Sequence, residues 1–92
     1  MTVERIRMIE ARIRSALPVE HLDIEDESHL HAGHPGAKDG RGHFRVTVIS
    51  ESFGDCSPLQ RHRLVYDAVG GLMQTDIHAL SIQAMTPAEY KS

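Results

Sequence analysis

Histidine is the residue type through which this chain could most readily do chemistry. Seven occur in 92 residues, and four of them (His29, His31, His34 and His43) fall in one short stretch. Imidazole is the commonest metal-ligating side chain near neutral pH, and its charge changes there. His78 stands apart, in the string Ile77-His78-Ala79-Leu80. Strand alternation puts it on the face of Leu80 and Ile82, so residue type alone leaves two readings open, metal ligand or hydrogen-bonded core histidine. A histidine-rich stretch taken by itself also reads as a solvated loop. Cys56, the single cysteine, stands just before a helix start, where the dipole lowers a thiol pKa, but Asp55 beside it opposes a thiolate. Arg61-His62-Arg63 makes a basic helix start that could meet phosphate, a groove or a protein partner. No G-x-S-x-G, Walker loop or H-E-x-x-H is present, and nothing assembles a nucleophile, a base and an oxyanion site. The chain reads as a non-enzyme.

The elements that must position these residues follow from changes of period. Val3, Ile6, Ile9, Ile13 and Ala16/Leu17 recur at three- and four-residue steps, so Thr2 to Leu17 is a helix. Thr2 is its candidate N-cap, and Pro18 stops it. His21 to Asp26 alternates apolar and acidic residues, which predicts a half-buried strand. Residues 27–42 hold four glycines and Pro35 without periodicity, the signature of a long loop. Phe44 to Ile49 is a β-branched second strand, antiparallel to the first across that loop. Ser57-Pro58 then caps a helix running to about Met73, where Gly70 and Gly71 each cost about 1 kcal/mol relative to alanine. Ile77 to Met85 is the third strand, and Thr86-Pro87-Ala88-Glu89 is a capping box that opens a short last helix. The order α-β-β-α-β-α predicts one two-layer α+β domain over residues 1–92, with a three-stranded mixed sheet and helices on one face.

Composition narrows the function classes. Ten Lys+Arg against thirteen Asp+Glu give a net charge of −3, a poor match for a protein devoted to polyanion binding. Four aromatic residues and no Trp remove most base-stacking platforms. Gly33-His34-Pro35-Gly36 is a G-x-x-G string, but it lies between strands rather than between helices, so no RNA clamp is expected. No apolar run is long enough to span a bilayer, and the N-terminal stretch does not read as a signal peptide. One cysteine allows no internal disulfide and points to a reducing, cytoplasmic setting.

Four strings in register resemble the BolA family. They are Phe44-Arg45-Val46-Thr47-Val48-Ile49-Ser50, Ser57-Pro58-Leu59-Gln60-Arg61-His62-Arg63-Leu64-Val65-Tyr66, Ile77-His78-Ala79-Leu80-Ser81-Ile82 and Thr86-Pro87-Ala88-Glu89. The resemblance covers about Val3 to Tyr90. It implies a KH-like fold of the second type and a monothiol glutaredoxin partner, with which a 2Fe–2S cluster also ligated by glutathione is shared. It places the family's C-terminal metal ligand on His78 and the second ligand, a His or Cys of the first strand–strand loop, on His31, with His34 the alternative. His43 stands at the edge of the following strand. The resemblance also implies a rival role, a DNA-binding regulator of stress response and cell morphology that uses the Arg61-His62-Arg63 helix. Three departures stand out: glycine follows Phe53 one place early, Gly70-Gly71 replaces helix formers, and Tyr90 stands for a tryptophan.

Overall fold

A computed structural model describes residues 2–28 and 42–91, with Thr2 described in its backbone only. The expected Thr2 cap and the segment carrying His29, His31 and His34 lie outside the described residues. The elements are α1 (Thr2–Ala16), β1 (His21–Asp26), β2 (Gly42–Ile49), a 3-10 turn (Glu51–Phe53), α2 (Pro58–Val69), α3 (Leu72–Thr75), β3 (Ile77–Met85) and α4 (Pro87–Lys91). The sheet order is β1-β2-β3. β1 runs antiparallel to β2, and β2 runs parallel to β3, so the sheet is mixed.

One face of this sheet is buried under helices. Ile9, Ile13 and Leu17 from the α1 side, Val65 and Val69 of α2 and Leu72 of α3 pack with Phe44, Val46 and Val48 of β2. Ile77 and Leu80 of β3 and Phe53 of the turn complete the cluster. Each such side chain contributes about 1.5–3 kcal/mol when fully buried. The α1 stripe thins at its start, where Val3 remains exposed.

The caps follow the sequence closely. Ser57 N–H donates to Gln60 Oε1 (2.8 Å) and Gln60 N–H to Ser57 Oγ (3.2 Å), a reciprocal box with Pro58 at the first helical position. Thr86 and Glu89 repeat the arrangement at α4, with bonds of 2.9 and 3.2 Å. α2 also blunts the free edge of β3. Tyr66 Oη donates to Leu80 O (3.3 Å) and Arg61 Nη1 to Ala84 O (3.1 Å), so side chains occupy carbonyls that another strand could otherwise recruit.

The second long helix is shorter than its periodicity predicts. It ends at Val69, and α3 starts anew at Leu72. The break sits at Gly70, whose φ of 54° and ψ of −129° lie in a region that side chains disfavour. Gly71 is ordinary by contrast, with φ −63° and nothing within 4 Å of where a Cβ would stand. The two glycines are therefore not equivalent. Gly70→Ala should cost about 1–3 kcal/mol, whereas Gly71→Ala should be neutral or stabilising by up to about 1 kcal/mol. Urea midpoints at constant m-value separate the two outcomes.

Candidate functional site

Register arranges the sheet face that the helices leave open into rows. Glu25, Arg45 and Ser81 stand abreast on β1, β2 and β3, and Asp23, Thr47 and Gln83 form the next row. At the near end Glu27 N–H donates to His43 O (2.8 Å), and Ala79 lies on the other side of His43. Side chains alternate between faces along a strand, and Asp23, Glu25, Arg45, Ala79, Ser81 and Gln83 are all exposed.

His78 enters this face through an irregularity. β2 advances one residue, from Gly42 to His43, while β3 advances two, from Ile77 to Ala79. His78 is the extra residue of this bulge. Ile77 takes the core position, fully buried. His78 is half-buried, and its ring centroid lies 5.0 Å from that of His43, with the planes tilted by 46°. Strand parity alone would have put His78 in the core beside Leu80; the bulge pairs it with His43 instead.

Local hydrogen bonds hold this end of the sheet. Ser28 N–H donates to Asp26 Oδ1 (2.8 Å), and His43 N–H donates to Ser28 Oγ (3.0 Å). The Nε2 of His43 is shut away from solvent. Gly42 is also buried, and a Cβ there would stand 2.6 Å from the Phe44 ring, so the chain passes close to that ring just before the imidazole pair. Imidazole nitrogens are donors of the kind that suits iron, zinc or copper. Of the two, His43 keeps its Nε2 enclosed while His78 is half-buried, so a metal held here would take only part of its ligand set from the described residues. Among the described residues no group of three His, Cys, Asp or Glu converges on a point.

The basic string at the start of α2 divides. Arg61 turns inward: Nη1 and Nη2 donate to Glu89 Oε1 (2.7 Å) and Oε2 (3.1 Å), and Nε donates to Cys56 O (3.2 Å). Its guanidinium also lies 5.9 Å from the centre of the buried Phe53 ring. The Glu89 hydrogen bond raises the Arg61 pKa above its ordinary value. Hydrogen bonds from Arg61, then from the Thr86 N–H, hold the Glu89 carboxyl down to about 2. Only His62 and Arg63 of the string are exposed. The Cys56 thiol donates to Ser52 O (3.5 Å) and is half-buried. Gly54 has φ −54°, which any residue adopts, and Tyr90 stacks on His21 with centroids 5.7 Å apart.

Fold and imidazole pair together define a small α+β domain of KH-like order, with nitrogen donors gathered at one end of an open sheet face. The chain belongs to the BolA-like protein family, whose pattern matches residues 13–89. It is 46% identical over 83 residues to BolA-like protein 1 of Bos taurus, covering 90% of this chain and 59% of that protein. It thus spans about three fifths of that relative's length. It is 33% identical over 92 residues to the DNA-binding transcriptional regulator BolA of Haemophilus influenzae, covering all of this chain and 84% of that protein. BolA1 from Arabidopsis thaliana superposes with a TM-score of 0.78 at 34% identity, covering 92% of this chain and 94% of the other.

The Arg61–Glu89 pair has a pH signature. Because the folded Glu89 carboxyl titrates near 2 rather than at its ordinary 4.5, its contribution to stability is present above pH 4.5 and is lost as the pH falls towards 2. Wild type should therefore exceed Glu89→Gln in melting temperature at pH 6 by a margin that closes between pH 4.5 and 2, as followed by circular dichroism. A margin constant across that range would show that ionisation of Glu89 contributes nothing to folding.

Proposed function

We propose that this chain is a non-enzymatic adaptor that binds a monothiol glutaredoxin and shares with it a glutathione-ligated 2Fe–2S cluster, in the cytoplasm. The observation that carries the reading is the His43–His78 pair, rings 5.0 Å apart, in a BolA-like fold whose sequence is rich in histidine just before β2. In this reading His78 is the principal ligand, and the bulge that sets it against His43 supports that role. The second ligand comes from the segment before β2: His31 first, His34 as its alternative. His43 supports His78 and is the nearest substitute. When present, such a cluster supplies electron transfer or sensing, and imidazole ligation raises its potential relative to all-thiolate ligation. A protonated imidazole cannot ligate, so the assembly is weaker in acid.

A second reading rests on a different observation. α1 and α2 carry six Arg against three acidic residues, whereas the rest of the chain carries four Lys+Arg against ten Asp+Glu. The helix layer is thus the basic side of an acidic protein, and one relative, matched over all of this chain, is named a DNA-binding regulator. Duplex DNA would meet Arg63 and His62 there, without Arg61. Such binding should weaken steeply with salt, roughly in proportion to the phosphates contacted.

Mixing with cluster-loaded glutaredoxin tests the first reading. The visible spectrum should change on forming the heterodimer, and His78→Ala should abolish that change while the protein stays folded. His31→Ala should weaken it more gently, because His34 lies three residues away. An unchanged spectrum with wild type, beside salt-sensitive duplex binding lost in Arg63→Gln, would reverse the order of the two readings.

A further inference from the structure

The open sheet face holds a second set of polar groups that the imidazole pair does not use. A groove of about 400 Å³ is lined by Glu27, Arg45, Ser81, Ile82 and Gln83. Arg45 is exposed on the central strand, and among the described residues its guanidinium makes no ion pair or hydrogen bond, although Glu25 stands opposite it across the ladder. The Glu27 carboxylate likewise makes no such contact among the described residues.

We propose that this groove binds the charged α-amino-acid head of a small peptide thiol, namely the γ-glutamyl end of glutathione. The inference rests on the adaptor reading above for the identity of the peptide. The charges select the ligand class. A simple anion drawn to Arg45 meets Glu27 and Glu25, and a simple cation drawn to Glu27 meets Arg45. A ligand with a carboxylate and an ammonium on one carbon satisfies both. The planar guanidinium fork matches the carboxylate, the Glu27 carboxylate accepts from the ammonium, and Ser81 and Gln83 supply a hydroxyl and an amide.

Reach agrees with this placement. Arg45 lies two residues along β2 from His43, about 7 Å at strand rise. Seven bonds separate the γ-glutamyl α-carbon from the cysteine sulfur. At about 3.5 Å per three backbone bonds they extend to about 8 Å. A γ-glutamyl head held on Arg45 can therefore put its sulfur beside the imidazole pair. The γ-linkage matters because it leaves both charges on the α-carbon.

The test begins with the cluster-free chain. Reduced glutathione, titrated in the millimolar range, should produce saturable amide shifts at Ser81 and Gln83 in nitrogen-15 NMR. Arg45→Gln should weaken that binding about tenfold or more, with an unchanged melting temperature. Des-amino-glutathione should bind more weakly than glutathione to wild type but equally well or better to Glu27→Gln. Shifts absent from Ser81 and Gln83, or matched by cysteinylglycine or acetate, overturn the proposal. A second arm separates this inference from the adaptor reading. If the wild-type heterodimer forms its cluster spectrum but the titration is blank, the groove assignment alone fails. If the titration succeeds but no cluster spectrum forms with any glutaredoxin, the adaptor reading alone fails, and the groove stands as a glutathione site.

Discussion

An extra residue in one strand reconciles the two demands on β3. Ile77 and Leu80 are both core residues, yet they are three positions apart, and strict alternation would send one of them to the open face. The parallel ladder absorbs the mismatch by advancing two residues on β3 for one on β2. His78 is the residue left over. It cannot take a core position, because Ile77 already holds it, so it comes to rest against His43. The imidazole pair is thus a by-product of how the core closes. A substitution that healed the bulge would have to move either Ile77 or the whole remainder of β3 to the wrong side.

Arg61 performs a comparable reconciliation at the other end. The turn after β2, the start of α2, the end of β3 and α4 all converge there. One planar cation with five donors meets a carbonyl from the turn, a carbonyl from β3 and both oxygens of Glu89. Its guanidinium also lies over the Phe53 ring. A lysine, with a single ammonium, could not span these partners. The two ends of the domain are therefore fixed by different means, a backbone irregularity at the histidines and a side-chain hub at Arg61.

Much of this was legible before any coordinates. Element order, the Ser57-Pro58 cap, the Thr86-Glu89 capping box and the α1 core stripe follow from periodicity and from the local chemistry of Ser57, Pro58, Thr86 and Glu89. Three features were not. The bulge is invisible because Ile77-His78-Ala79-Leu80 reads as an unbroken strand, and only the pairing with Gly42 and His43 reveals the extra residue. Arg61 looked like its neighbour Arg63, since two arginines two apart on a helix give no hint that one turns inward to a carboxylate 28 residues away. Gly70 and Gly71 looked alike because composition carries no φ. Arg45 was within reach of the sequence, as the outward-facing cation in Phe44-Arg45-Val46, but alternation alone gave it no partner.

The division between covered and open faces separates the positions that folding fixes from those it leaves free. Folding needs the helix-covered side, where almost every position is apolar and fixed by packing. The other side carries short or polar groups, Ala79, Ser81, Thr47 and Gln83 among them, that contribute little to the core and can be assigned to recognition. The same economy applies to the segment between β1 and β2. Loop-closure entropy rises only by about 0.6 kcal/mol for each doubling of length, so residues can be added there at small cost to stability. A side chain carried on that segment can be exchanged cheaply, whereas one carried on the bulge cannot, because Ile77 and Leu80 fix the register there.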